Sequence, residues 1–211
     1  MYVSLILNVS LILALVALYS LVIRVTSFGK KAWLVLNGLV FGLTAVAAMS
    51  VAYHYSSGVI YDGRSIILSL SGLYAGTIPT IIASLIALLY RFYLGGNGLM
   101  AGLTTIIFCA ATGLLFRRKF TYRINHLGKL ELLAFGLVVH LVMLACQLLI
   151  KPWPAGVMVI SRIWLPIMLT FPAATMLTGL LLQQENRRLE AELKVRESEE
   201  KYASFLTTPA R

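Results

Sequence analysis

The sequence predicts an all-α integral membrane protein with five full transmembrane helices, a broken helical hairpin and a cytoplasmic coiled-coil helix. Hydrophobic residues make up 59% of the 211-residue chain and charged residues only 12%, whereas a soluble domain carries roughly 25% charged residues. Two arginines, Arg64 and Arg91, frame an apolar segment that contains Gly72, Gly76 and Pro79. These three residues indicate a helix that is broken in its middle and supported there by close packing of small residues.

Five other apolar segments are each predicted to cross the membrane once. In chain order they cover residues 2–23, 33–53, 99–116, 130–150 and 158–182, close to the roughly 20 residues that a helix needs to cross the hydrocarbon core. The first segment has no basic residue before it and is followed by Arg24, Lys30 and Lys31, so we expect a retained helix and not a cleaved signal peptide. Pro166 and Pro172 are expected to kink the last span, because proline cannot donate a helical hydrogen bond.

The segment 65–94 allows two interpretations. As one tilted span it would bring the total to six, and it would leave the basic loop after the first span outside the cell. As a hairpin that returns to its own side, it places both basic loops, 24–31 and 117–129, and the C-terminal tail in the cytoplasm, in agreement with the positive-inside rule. The hairpin is therefore favoured, with the N-terminus, Arg64 and Arg91 on the outer side.

Arg64 and Arg91 are candidate contacts for an anion. An arginine keeps its charge at working pH and is costly at membrane depth, so each side chain either snorkels to the headgroups or binds a negative group. Its planar guanidinium matches a carboxylate with two parallel hydrogen bonds. The broken helix favours a ligand site, in which Asp62 is expected to hold Arg64 in place and Asn97 to line the cavity. Arg162 is a further candidate contact.

Three ordered motifs resemble those of the LytS-type five-transmembrane receptor domain of bacterial sensor proteins. They are Tyr-Asp-Gly-Arg at 61–64, Ser-Gly-Leu-Tyr-Ala-Gly at 71–76 with Pro79 after it, and Tyr-Arg-Phe-Tyr-Leu-Gly-Gly-Asn-Gly at 90–98. Members of that family commonly show D-x-R, a G-L-F-G-G-P-like turn and Y-R-x-x-x-G-G. This chain departs from the pattern at Tyr74, Ala75, Thr77 and Ile78, and the similarity covers roughly residues 33–182.

The resemblance implies a receptor for a small extracellular anion, such as the carboxylate pyruvate, in the inner membrane of a bacterium. It further implies that Arg64 and Arg91 contact the ligand and that Thr104 or Thr105 of the following helix faces the same cavity. The signal would pass through the last helix to a cytoplasmic histidine kinase or cyclic-dinucleotide enzyme. A small-solute transporter, or a subunit of one, is the alternative, because broken helices beside a central site also occur in transporters.

After residue 182 charged residues replace apolar ones. Leu182, Leu189 and Arg196 recur every seven residues, and Asn186 and Leu193 form a second line. With the leucines at d, Asn186 takes an a position, where a buried asparagine favours a parallel coiled-coil dimer; a plain exposed helix is the alternative. The expected domains are a transmembrane sensor, a coiled-coil signalling linker leading towards a PAS or output module, and a short tail, at 1–182, 183–205 and 206–211.

The sequence contains no pattern that predicts catalysis, a metal site or a cofactor. Cys109 and Cys146 lie in separate apolar spans and belong to no metal-spaced cluster. His140, in the middle of a span, is expected to form a hydrogen bond between helices, because the spans lack the acidic partners of a proton relay. The first 184 residues contain twelve Lys and Arg against two acidic residues, an excess that indicates loops facing anionic lipid and not nucleic acid.

Overall fold

The computed structural model describes the backbone of residues 2–24, 30–56 and 59–207, and the side chains of 10–24, 31–52 and 62–199. In these ranges the chain forms seven α-helices: α1 (Tyr2–Arg24), α2 (Lys30–Ser50), α3 (Arg64–Leu70), α4 (Thr77–Leu94), α5 (Leu99–Lys119), α6 (Lys129–Cys146) and α7 (Ala155–Thr207). Shorter elements are the strands β1 (Tyr53–Ser56) and β2 (Val59–Tyr61), a π-helix at Ser71–Ala75, and 3-10 turns at Thr121–His126 and Gln147–Leu149.

The predicted class, an all-α membrane protein, is confirmed. Five helices of the described ranges are long and apolar enough to cross a membrane, at Lys31–Ser50, Thr77–Leu94, Leu99–Lys119, Lys129–Leu149 and Ala155–Glu199. An apolar helix over Ser10–Arg24 adjoins them. Helix α4, predicted as half of a hairpin, is thus long enough to span by itself.

The segment between the two arginines forms a hairpin with unequal arms. The first arm is α3 with its π-helical continuation, seven and five residues long, and the second is the 18-residue α4. The chain reverses at Gly76, whose φ of 92° lies in the left-handed region that favours glycine. The Gly76 carbonyl accepts both the backbone N–H of Thr80 at 3.1 Å and the Thr80 hydroxyl at 2.6 Å, so the first turn of α4 begins directly at the reversal.

Helix α5 runs alongside the whole hairpin and defines two ends of the bundle. At its first turns Gly102 lies against the Arg91 side chain, and near its last turn Arg117 lies against Gly76. We call these the site end and the tail end. Asn186 of α7 donates to Asn125, in the turn that follows α5, at 3.1 Å, and Arg24 at the end of α1 pairs with Glu185 and Glu192 at 3.6 Å each, so α7 projects from the bundle at the tail end.

The first arm of the hairpin packs against α5 through glycines. A Cβ on Gly72 would lie 2.8 Å from the Ala110 carbonyl oxygen and 2.8 Å from the Leu114 nitrogen, and a Cβ on Gly113 would collide with the Ser69 carbonyl oxygen. All these neighbours are backbone atoms, which cannot rotate away. The two helices therefore approach as closely as small residues allow.

A short antiparallel β-hairpin precedes α3, and the sequence did not predict it. Tyr53 pairs with Tyr61 and His54 with Ile60. The predicted second span, 33–53, is wrong at its end, because α2 stops at Ser50 and Tyr53 begins the strand. Strands of three and four residues are too short to show the alternating pattern by which strands are recognised.

Candidate ligand site

Asp62 and Arg64 form a buried ion pair at the start of α3. Asp62 Oδ2 lies 3.4 Å from Arg64 Nη1, and Asp62 Oδ1 accepts the Arg64 backbone N–H at 2.8 Å. The second contact satisfies an amide that has no partner within the helix, and it places a negative charge at the helix N-terminus, where the backbone dipole favours it. These two contacts fix Arg64 relative to Asp62; the role of Asp62 in supporting a ligand site stays a prediction.

A small cavity of about 10 Å³ adjoins this pair, which is room for about one water molecule. Its lining comes from the start of α3, from α5, from the end of α6 with the turn after it, and from α7. The lining residues are Asp62, Arg64, Ser65, Thr105, Met143, Gln147 and Phe171. The four elements thus converge on one polar spot inside an apolar bundle.

Arg91 lies one helical turn from the cavity along α5 and does not line it. Its side chain is 1% exposed, and its Nη1 donates to the Gly95 carbonyl at 3.0 Å. The guanidinium passes over Gly102, where a Cβ would collide with Nε and lie 2.8 Å from Cδ. The absence of a side chain at Gly102, three residues before Thr105, is therefore what admits the arginine.

The electrostatics of the site centre on Asp62. Burial raises the pKa of the Asp62 carboxyl above its usual range, and the positive charges of Arg64 and Arg91 act in the opposite direction. Both predicted arginines are therefore close enough to interact with one carboxylate. Counting Arg91 one turn away, two guanidinium groups and one carboxyl group give this region an excess of positive charge, which suits an anion.

Of the other predicted ligand contacts, one lines the cavity and the rest do not. Thr105 lines the cavity, with its hydroxyl donating to the Ala101 carbonyl at 2.7 Å. Thr104 does not line it, and its hydroxyl bonds carbonyls of its own helix. Asn97 and Arg162 are exposed and also lie outside the lining. The role of each in binding stays a prediction.

Four lining residues were not predicted from the sequence. Ser65, Met143, Gln147 and Phe171 come from four different helical elements, namely α3, α6, the 3-10 turn after α6, and α7. Gln147, an amide at the end of an apolar run, was the one visible signal. Its Nε2 donates to the Met143 carbonyl at 3.2 Å.

His140 lies directly behind the cavity wall. Its Nδ1 lies 2.7 Å from the Gly136 carbonyl oxygen, which can only accept, so Nδ1 carries the proton and Nε2 accepts from the Ser65 hydroxyl at 3.2 Å. The imidazole also stacks on Phe171, with ring centroids 5.3 Å apart and 24° between the planes. His140 is thus the predicted hydrogen bond between helices, and it joins α3 to α7.

At the tail end, the predicted coiled-coil face turns partly towards its own bundle. Leu182 is fully buried, and the Asn186 amide accepts from Tyr19 at 2.9 Å and donates to Asn125 at 3.1 Å. Leu189 packs against the core, whereas Leu193 is 43% exposed. Contacts within one chain therefore occupy the first part of the predicted dimer face.

Together, the hairpin, the buried charges and the long helix define a multi-pass membrane protein with a polar site inside its bundle and a helical extension beyond it. In the described residues no group of three or more His, Cys, Asp or Glu could hold a metal ion. The family model described as 5TMR of 5TMR-LYT matches residues 7–185, and the chain belongs to this family of five-transmembrane receptor domains. It is therefore a membrane sensor domain. No curated protein and no solved structure matches the chain.

Proposed function

We propose that this receptor domain binds a small carboxylate, such as pyruvate, in the cavity beside Arg64 and signals its presence through α7. One observation carries the proposal: a buried charged cavity whose wall includes Phe171, a residue of the helix that leaves the bundle. Arg64 Nη1 and Asp62 Oδ2 are buried without a hydrogen bond, although they form an ion pair at 3.4 Å. A carboxylate supplies the acceptor that the guanidinium lacks.

The ligand binds by adding a second acceptor to Arg64. The hydroxyls of Thr105 and Ser65 line the same cavity, and each already donates its proton, to the Ala101 carbonyl and to His140 Nε2. Exclusion of water strengthens this pairing, because charges interact more strongly in a medium of low dielectric constant. Arg91 contributes a second positive charge one turn away. A cavity of about 10 Å³ is too small for a three-carbon acid, so binding requires an open state, and the ligand shifts the equilibrium towards it.

The proposed orientation places the site end outside the cell and the tail end in the cytoplasm of a bacterium. The last turn of α5, the turn after it and the first residue of α6 belong to the tail end and together carry five basic residues, Arg117, Arg118, Lys119, Arg123 and Lys129. Such charges are expected on the cytoplasmic side, near anionic lipid. A ligand would then enter from outside, at the opposite end to the tail.

The proposed output is a parallel pairing of two α7 helices that controls a histidine kinase or a cyclic-dinucleotide enzyme. Because Leu182 and Asn186 are engaged within one chain, the pairing would begin near Leu189 and continue through Leu193. This part of the helix is exposed on most of its positions. Movement of α7 would then change the distance or rotation between the paired helices.

Calorimetric titration of the detergent-solubilised protein with pyruvate, acetate and lactate tests the binding site. We expect Arg64→Lys and Arg91→Lys to lower the affinity for the bound acid by about ten- to a hundredfold, because lysine keeps the charge and loses the planar fork. Arg118→Lys, an exchange at an exposed arginine, is the matched control and should bind as the parent does.

Two outcomes would contradict the proposal. Equal affinity of the parent and both arginine variants would place the ligand elsewhere. Accumulation of labelled pyruvate inside vesicles that contain the protein would identify a transporter instead.

A further inference from the structure

We propose that Phe171 closes the ligand cavity, sets the size of ligand that it admits and transmits its occupation to α7, and that His140 is the positioning residue that holds the ring in the closed state. This inference rests on the proposed function for the identity of the ligand. The part of the inference that concerns the control of α7 is independent of the proposed function, because it can be tested on the ligand-free protein.

Phe171 is the movable part of the cavity wall. Of the seven lining residues, six are buried, from 1% to 8% exposed, and Phe171 alone is half-buried. A fully enclosed side chain can leave its position only if its neighbours move as well. The Phe171 ring is partly exposed and belongs to a helix long and apolar enough to cross a membrane, so it can turn away from the cavity without a matching movement of its neighbours.

The principal contact to be lost is the stack on His140. Both imidazole nitrogens have partners, Gly136 of the same helix and Ser65 of α3, so the plane of the imidazole is fixed. The Phe171 ring lies against that plane at 5.3 Å. An aromatic pair of this kind contributes a modest free energy beyond burial, enough to favour the closed state without locking it.

The helix around Phe171 is suited to bending. Pro166 and Pro172 lie inside α7, and neither can donate a hydrogen bond to the preceding turn, so the helix is weakened on both sides of Phe171. Pro172 meets Gly136 of α6 closely: a Cβ on that glycine would lie 2.9 Å from both the Cα and the carbonyl oxygen of Pro172. Helix α7 can bend about this backbone contact, which lies one turn of α6 before His140.

The displaced ring also determines the size of the ligand. The closed cavity admits about one water molecule, so a three-carbon acid enters only when the phenyl ring moves aside. An anion that pairs with Arg64 therefore occupies the position of the ring. A larger acid would need the wall to retreat further than one side chain allows.

The test measures the position of the tail in the full chain. Spin labels on Tyr122→Cys, in the exposed turn after α5, and on Leu193→Cys report the distance from the bundle to α7, while Cys109 and Cys146 are buried. We expect Phe171→Leu and His140→Leu to shift the ligand-free distance distribution in the same direction as pyruvate shifts it in the parent. Phe135→Leu is the control, because Phe135 is a buried aromatic residue of α6 whose ring contacts that of Phe116 at 4.9 Å between centroids and does not line the cavity.

The same variants should bind pyruvate roughly three- to tenfold more tightly than the parent, because the ligand no longer has to displace a stacked ring. Phe171→Leu should also admit 2-oxobutanoate, which is one carbon longer. A ligand-free distance distribution identical to that of the parent in both variants, or a shift of equal size in Phe135→Leu, overturns the inference. If the two variants shift but no carboxylate binds the parent, Phe171 still controls α7 and the proposed ligand is wrong.

Discussion

We predict that one side chain, Arg117, holds the tip of the hairpin in place. Its Nη1 donates to the carbonyls of Leu73 at 2.9 Å and Tyr74 at 3.0 Å. These carbonyls belong to the π-helix that ends at the Gly76 reversal, where the regular helical hydrogen bonds stop. The sequence alone predicts for Arg117 only the role of one of several loop charges that set the topology.

The expected cost of Arg117→Gln follows from these two bonds. A hydrogen bond to a charged group contributes about 1.5–3 kcal/mol. Arg117 is half-buried, so water reaches part of the site after the change, and we expect a loss of about 2–3 kcal/mol in the free energy of unfolding. For a chain of this size the midpoint of thermal unfolding would fall by roughly 5–10 °C.

The two buried free cysteines supply the assay. Cys109 and Cys146 are shielded in the folded protein, so a thiol-reactive fluorogenic dye labels them only when the bundle opens on heating. Arg118→Gln is the matched control, because it removes the same charge from an exposed neighbouring position. We expect the control to unfold within about 1 °C of the parent, since exposed substitutions change stability little.

Arg117→Lys separates the two roles of the charge. If Arg117 acts only as a topology-setting charge, lysine should restore the parental midpoint. If it holds the tip, lysine should restore only part of it, because a compact ammonium cannot reproduce the reach of the guanidinium. Equal midpoints for Arg117→Gln and Arg118→Gln would refute the reasoning.

Two further predictions concern packing and assembly. Gly113→Ala should lower the free energy of unfolding by about 1–3 kcal/mol, because its Cβ meets the Ser69 backbone. Gly128→Ala, whose Cβ would lie at an ordinary contact distance of 3.5 Å from the Glu131 side chain, should unfold as the parent does. Equal dye-labelling curves for the two variants would show that α3 can shift. Leu193→Cys should form a disulfide-linked dimer in membranes. Leu182→Cys should not, because Leu182 is fully buried in its own bundle. A cross-link at position 182 and none at position 193 would contradict the proposal that pairing begins near Leu189.

The hairpin could be predicted because its signals are local. Glycine and proline interrupt a helix wherever they occur, and two arginines at the ends of an apolar segment restrict how it can lie in a membrane. The position of the turn within the bundle could not be predicted in this way. It depends on Arg117 of α5 meeting the carbonyls of Leu73 and Tyr74, a contact between residues far apart in the sequence.

The site could be predicted only in part, for a related reason. Arg64 and Asp62 are neighbours in the chain, so their pairing follows from the sequence. Thr104 and Thr105 differ by about 100° around their helix, and the rotation of α5 against α3 decides which of them lines the cavity. Phe171 carried no signal at all, because an aromatic residue in an apolar span has the same appearance whether it faces lipid or a ligand.

Asn186 shows that a correct pattern can have two structural outcomes. An asparagine in a leucine repeat suits the core of a coiled coil, and the same position here bonds Tyr19 and Asn125. Both are ways of pairing a partly buried amide, and a single sequence does not distinguish a partner in the same chain from one in a second copy. The exposed Leu193 is therefore better evidence for pairing than Asn186.

The contacts of the hairpin also indicate which element moves when a ligand binds. The sequence suggested a hairpin that shifts against the last span. Every residue of α3 and of the π-helix is buried, the glycine contacts with α5 are between backbones, and Arg117 holds the tip, so the first arm has little freedom to slide. Helix α7 contains two prolines and has a half-buried ring at the cavity. A movement between the hairpin and α7 requires only that one of the two is mobile. We infer that α3 stays fixed and that α7 bends against it.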